Sequence, residues 1–513
     1  MNILYLPIDE RPCNTLVVAN IAKTNKGIHL ITPQKRLQEK KKIPAITQEL
    51  WQWVEQEAAQ CEGLIFSPEL MLYGGLIPSR IHHLSDEKRD SFIEKLIKLK
   101  NDNPQLTILS SAIVMRTPGY NSSDEEPDYY EQYGEAIYKS KYLFDKKERM
   151  GLSSNEEDQL VRLTDTIPRE VVADYENRRA YNLKTTLAIL KLAKDSVINN
   201  VVVPQDDSAE YGYTAIDQKK VMTVINENGL GRSVLVYPGS DEVGATLLAR
   251  FINDTNQYQP KVYALFSSTL GPSLIPNYED RPFFETLKKH VQAINGKLVE
   301  SMSEADIVLG YNTPGKIMQE SWEQETNIDQ TYYSFRDLNT FIDALKEAIS
   351  AGKKVIVADS AFSNGGDREL INALVRENVF LGLYSYKGWN TNANTLGTTL
   401  AQGCIADSLS RETIKTNIYH LLDDFIYQAM IRMNLTKSVL KQEDLNYFDL
   451  KDKAEKINTL ISQAILDYYN NHLTTLANEV AVKSLITRSP WNRMFETELE
   501  FDIHIREGER VEE

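Results

Sequence analysis

Residues 261–312 decide the fold: KVYALFSS (261–268) leads through PFFETLKKHVQAING (282–296) to KLVES (297–301) and ADIVLGYN (305–312). Short, near-continuous apolar runs flank an amphipathic helical pattern, which is the order of a β-α-β-β unit with strands buried on both faces. The unit reads as a fresh start near Tyr258, after a first series of similar runs. Those runs are Asn2–Pro7, His29–Thr32, Gly63–Phe66, Leu106–Val114, Asn200–Val203 and Ser233–Tyr237; Val262–Phe266, Ile307–Leu309, Val355–Ala358 and Val379–Tyr384 follow. Helical patterns such as RDSFIEKLIKLKND and LNTFIDALKEAISAGKK separate several of them. Strand alternating with helix predicts α/β architecture with largely parallel sheets.

Ten candidate strands exceed the eight of one closed barrel. A decorated (β/α) barrel and two α/β lobes both remain open readings, and the fresh start near Tyr258 favours two lobes. Residues 1–255 form the expected first lobe, with a polar helical insertion near 122–184. Residues 256–405 form the second lobe. Residues 406–513 read as a helical region ending in a strand, since ETIKTNIYHLLDDFIYQAMIRM and KAEKINTLISQAILDYYNNHL have helical periodicity and WNRMFETELEFDIHI returns to alternation. No repeat of fixed period is visible.

Composition narrows the function. The 513 residues are 42% hydrophobic and 25% charged, as expected of a folded globular chain. A formal charge of -16, from 57 basic and 73 acidic side chains, opposes nucleic acid and anionic lipid surfaces. Cys13, Cys61 and Cys404 are far apart, so neither a disulfide scaffold nor a thiolate zinc site is expected. The seven histidines form no HExxH or HxH spacing, and GxSxG, Walker A and helix-opening GxGxxG patterns are absent. No apolar run approaches the roughly 20 residues that span a bilayer. No signal peptide is recognised, and the chain is expected in the cytoplasm.

Polar residues cluster just after the strand runs, on the edge where parallel sheets bind ligands. They comprise Asp9, Glu10, Arg11 and Asn14; Glu69, Tyr73, Gly74, Gly75 and Arg80; Arg116 and Tyr120; Asp206, Asp207, Glu210, Tyr211 and Tyr213; Asp241 and Glu242; and Asp359, Asn364, Asp367, Tyr386, Trp389, Asn390 and Asn394. Each has a structural alternative. Asp241 and Glu242 suit the start of a helix, Arg80 and Arg116 suit neutralisation of acids, and Trp389 suits a core.

LPIDERPCNT, LYGGLIPSR, VPQDDSAEYG, GSDE, ADSAFSNGGD, YKGWNTNANTLGT and PWNRMFE together resemble a bacterial family described only as a domain of unknown function. That resemblance covers nearly the whole chain and implies no activity. Locally, the adjacent acids Asp206 and Asp207 before Tyr-Gly-Tyr resemble the paired acids of substrate-assisted hexosaminidases. There one carboxylate steadies the substrate's acetamido group while its neighbour acts as acid and then base. A sugar stacks an apolar face on an aromatic ring, here Trp389 or Tyr386, and offers hydroxyls to amides such as Asn390 and Asn394.

The expectation is a glycoside hydrolase for a small amino-sugar or cell-wall-derived saccharide, with no cofactor. Asp206 and Asp207 are its principal acids, and Asp241, Glu242 and Asp359 its reserves. Asp9, Glu10, Arg11, Tyr73, Arg80, Arg116, Tyr211, Asn364, Trp389, Asn390 and Asn394 are expected to bind substrate. A divalent-metal hydrolase or lyase using the same carboxylates, and a non-catalytic sugar-binding protein, are the alternatives. Asp206, Asp207, Asp241, Asp359 and Trp389 are further expected to line one pocket.

Overall fold

The computed structural model describes residues 1–206 and 209–506. Two compact units emerge: Met1–Glu10, His29–Leu247 and Tyr278–Asp280 in the first; Arg11–Ile28, Leu248–Asn277 and Arg281 onward in the second.

The first unit contains β1 (Asn2–Tyr5), β2 (His29–Ile31), β3 (Gly63–Phe66), β4 (Thr107–Ser111), β5 (Asn200–Gln205) and β6 (Val234–Pro238). They form an open sheet of order β2-β1-β3-β4-β5-β6. Every pairing is parallel. Apolar runs are needed on both faces because helices cover both. Leu4, Leu64, Phe66, Ile108, Val201 and Val236 are thus buried with Leu50 and Val54 of the helix Thr47–Glu57, and Phe92 and Leu96 of the helix Asp86–Asp102. The expected polar insertion becomes three helices, Tyr130–Met150, Ser154–Thr166 and Arg169–Lys194. Ser153 opens the middle one through a capping box with Glu156.

The second unit holds β7 (Lys261–Phe266), β8 (Lys297–Leu298), β9 (Ile307–Asn312), β10 (Gln319–Glu320), β11 (Lys354–Asp359), β12 (Phe362–Ser363) and β13 (Ser385–Lys387). Its main sheet has order β13-β11-β9-β7-β8, again parallel throughout, while β10 and β12 pair separately. The helix Phe283–Ala293 completes the expected β-α-β-β unit. Gly310 lets the helix Leu338–Ser350 approach: a Cβ there would sit 2.9 Å from Leu345 Cδ2 and 3.0 Å from Phe341 Cζ. The helices Arg411–His420 and Ala454–His472 follow, and β14 (Val480–Arg488) pairs antiparallel with β15 (Glu498–Ile505). No helix among the described residues is long and apolar enough to cross a membrane.

One strand assignment is corrected. Val379–Tyr384 is not a strand; it holds a 3-10 turn at Phe380–Gly382, and pairing begins at Ser385 with Ile356. Asn378 adopts φ 55° after the helix Arg368–Arg376, and the Val379 amide closes back on Leu374 O at 2.8 Å. Val379 and Phe380 are apolar because they seal that helix end.

Neither sheet closes into a barrel. Both share one winding: the chain leaves the first strand to one side, returns to the other, and then continues outward. This creates a topological switch point between β1 and β3, and another between β7 and β9. Ligands in such sheets bind outside the carboxyl ends of the strands, at the switch point.

Candidate functional site

In the second unit the carboxyl ends of β7, β9 and β11 carry Ser267, Asn312 and Asp359, all buried. Ser267 Oγ donates to Asn312 Oδ1 at 2.8 Å and accepts from the Thr313 amide at 3.0 Å. Asn312 Nδ2 donates to Asp359 Oδ1 at 2.9 Å and to Asp367 Oδ2 at 3.0 Å. Asp367 caps the helix Arg368–Arg376 by accepting from the Glu369 amide, and pairs with Arg336. Asp359 Oδ2 accepts from the Asp367 amide at 2.8 Å and from the Tyr386 hydroxyl at 3.0 Å.

Burial, reinforced by the charge of Asp367, pushes Asp359 up to about 7 despite those three donors. Burial opposes the charge of Arg336, but Asp367 outweighs it and raises the guanidinium. Gly366 lies against this group: a Cβ there would meet Tyr386 Oη at 2.5 Å and Asp359 Oδ2 at 3.0 Å. The Asn-Gly-Gly-Asp turn is therefore a close approach as well as a loop.

A second buried set comes from the helical C-terminal region. Residues Leu421–Ile431 form a π-helical stretch, an irregular winding that recurs at functional sites. Asp424 Oδ2 accepts from the Gly388 amide at 2.7 Å, and His420 Nδ1 lies 3.0 Å from the same oxygen. Burial pushes Asp424 up to about 7, and brings Lys387, at the end of β13, down to about 7. His420 falls well below its usual range through burial and the charge of Lys387.

An aromatic rim completes the second unit's cluster. Trp389 is half-buried, its ring centroid 6.2 Å from that of Phe495. The Asn364 amide donates to Asn390 O at 2.8 Å, and Asn364 Nδ2 to Glu320 Oε2 at 2.8 Å. Both asparagines adopt positive φ, 57° and 60°, a conformation that Asn tolerates. Arg432 lies over the Trp322 ring at 5.3 Å and over Phe495 at 5.6 Å. Arg493 covers Trp491 and pairs with Glu496, which also meets Arg11 at 3.4 Å. Asn394 is buried in the first turn of the helix Asn392–Ile405, behind the Thr391 cap.

In the first unit Arg80 and Arg116 meet acids. Arg80 donates to Glu125 at 3.0 Å, Glu126 at 3.3 Å and Asp206 at 2.9 Å. Arg116 donates to Glu126 at 2.8 Å and Glu125 at 3.0 Å. At the β1/β3 switch point Glu10 Oε1 accepts the Lys41 amide at 2.8 Å, and Asp9 is buried. Burial and the charges of Glu10 and Asp9 drive Glu39 well above the carboxylate range. Tyr73 is packed against His82 and Tyr181, and Tyr211 against Tyr142 with Arg149 over its ring. Glu242 folds back on Gly239, φ 120°, where a Cβ would stand 2.3 Å from Oε1; Asp241 is buried beside it in sequence. Asp207 lies outside the described residues.

Asp206 and Asp241 belong to the first unit, Asp359 and Trp389 to the second. Within the second, the structure gathers the predicted Asp359, Asn364, Asp367, Trp389 and Asn390 with groups that sequence reasoning left unassigned: Asn312, Arg336, Lys387, His420 and Asp424. Tyr386, expected as an alternative stacking ring, is instead fully buried with its hydroxyl on Asp359. One signal for Asp424 was present, an acid pair inside the apolar helical run HLLDDFIYQAMI. Among the described residues no three His, Cys, Asp or Glu side chains come together as a metal ion would need.

The family described as "Protein of unknown function (DUF4127)" matches residues 3–500, so the chain belongs to it. No curated protein matches the chain.

Proposed function

We propose that this member of the DUF4127 family is a cytoplasmic glycoside hydrolase acting on a small amino-sugar-containing or cell-wall-derived saccharide. The observation that carries the proposal is the rim of the second unit: the half-buried Trp389 ring neighbours Phe495, and Asn390, the next residue, continues into the hydrogen-bonded chain Asn390–Asn364–Glu320. An apolar face flanked by oriented amides and a carboxylate suits one side of a pyranose and its hydroxyls.

Acid chemistry at neutral pH needs a carboxyl held near its working pH. Asp359 and Asp424, each pushed up to about 7 by burial, meet that requirement in the second unit. In the first unit Asp206 is oriented by Arg80 and is the acid suited to orient or stabilise charge on a substrate.

A panel of nitrophenyl glycosides tests the reading. Asp206→Asn assays the first unit and Asp359→Asn the second, and the one carrying chemistry loses at least about 10²-fold in kcat. Turnover of no glycoside, with saccharide binding retained, would refute hydrolysis and leave a sugar-binding protein.

A further inference from the structure

Arg432 stands apart from the other buried arginines. Its side chain is 1% exposed, among the most deeply buried large residues of the protein. Arg336, Arg179 and Arg493 are also buried, and each has a carboxylate partner: Asp367, Asp217 and Glu496. Arg432 has none among the described residues. Its Nη1 donates to the Tyr447 hydroxyl at 3.2 Å, while its buried Nε–H has no hydrogen-bond partner. The acids around it are committed elsewhere. Asp423 accepts from Thr497 at 3.0 Å, Glu496 is held by Arg493, and Glu320 takes Asn364.

A buried guanidinium without a counter-ion is costly, because desolvation is not returned by an ion pair. Two aromatic faces, Trp322 and Phe495, offset part of that cost. They also fix the plane of the fork. A planar guanidinium with a buried, unpartnered N–H is suited to recognise a carboxylate or phosphate that enters beside it. Phe495 joins Arg432 to the proposed sugar platform, since the ring under the guanidinium is the ring that neighbours Trp389.

We propose that Arg432 is the seat for an anionic group, a carboxylate or phosphate, on the saccharide that stacks at Trp389 and Phe495. The substrate class is then an acidic saccharide: a uronate, an amino sugar bearing a carboxylate, or a sugar phosphate. This assignment rests on the saccharide reading of the rim but does not need hydrolysis.

Tryptophan fluorescence of the full chain is titrated with methyl glucoside, glucuronate, glucose 6-phosphate and inorganic phosphate. Wild type should bind at least one charged sugar at least about tenfold more tightly than the neutral one. The arm that shows the preference separates carboxylate from phosphate. Arg432→Gln should abolish the preference and leave the neutral sugar within about twofold, while Arg432→Lys, which keeps charge but not the fork, should retain part of it. Should Arg432→Gln not fold by near-ultraviolet circular dichroism, the wild-type ratio and the Arg432→Lys variant still decide. Equal affinity for charged and neutral sugars, a preference that survives in Arg432→Gln, or silence from all four probes would overturn the assignment. Charged-sugar preference without turnover would refute hydrolysis alone, and turnover of neutral glycosides without that preference would refute Arg432 alone.

Discussion

Arg336→Met removes the cation of the second unit's polar network while keeping much of the side chain's volume. The guanidinium donates to Asp367, to Asn312 Oδ1 at 3.3 Å and to Tyr332 O at 3.2 Å, and stacks on Tyr332 at 5.0 Å. Side-chain exposure is 1% for Arg336 and 2% for Asp367, so water cannot replace the lost partner. Charged hydrogen bonds are worth about 1.5–3 kcal/mol and the stacking about 0.5–2 kcal/mol. Removing one member of a buried pair costs about 3–5 kcal/mol in total, because the stranded carboxylate is left in low dielectric. Denaturant unfolding should be followed with the tryptophans separated by unit: Trp51 and Trp53 report the first, Trp322, Trp389 and Trp491 the second. The loss should appear in the second unit's transition. Asp367→Asn in the same chain should recover part of it, with a coupling of at least about 2 kcal/mol. A single-variant cost below about 1 kcal/mol, or additive single variants, would refute the account of a buried, mutually dependent pair.

Three further outcomes follow from the same network. Because Asp359 is raised from its ordinary 3.8 to about 7, the folded state holds a proton that the unfolded chain has released between those values, so its contribution falls as pH rises through that window. Asp359→Asn should flatten the pH dependence of urea stability there, and an unchanged slope would show that the carboxyl is not raised. Gly366→Ala places a methyl group 2.5 Å from Tyr386 Oη and should cost about 1–3 kcal/mol in the second unit's transition. A melting temperature equal to wild type would mean that the turn yields freely. Trp389→Ala should leave the melting temperature nearly unchanged, since the ring is half-buried, but should weaken saccharide binding by about tenfold in calorimetry. Equal affinity would remove the indole from the sugar platform.

The sequence favours two lobes over a barrel, and the folded chain decides the open sheets; family membership and α/β class were legible in the chain itself. The reason is local: parallel strands buried on both faces must be apolar along their length, and the helices that cover them must show a one-sided period. Residues 261–312 displayed both, and the unit they form is present in full. Asp359, Asn364, Trp389 and Asn390 were legible as site candidates because the winding of a parallel sheet places polar strand-end residues on one edge. The error at Val379–Tyr384 has the same origin, since an apolar run that seals a helix end looks like one that enters a sheet.

Tertiary structure decided which charges meet. Arg80 and Arg116 carry no mark in sequence that sends them to Glu125, Glu126 and Asp206, and Asp367 precedes a helix whether or not Arg336 finds it. The same holds for Asp424 and Lys387, whose proton affinities are set by burial across elements far apart in the chain. Periodicity records which face of an element is covered; it does not record by what. Electrostatic partnership is long-range in sequence and short-range in space, and only the folded chain supplies that second distance.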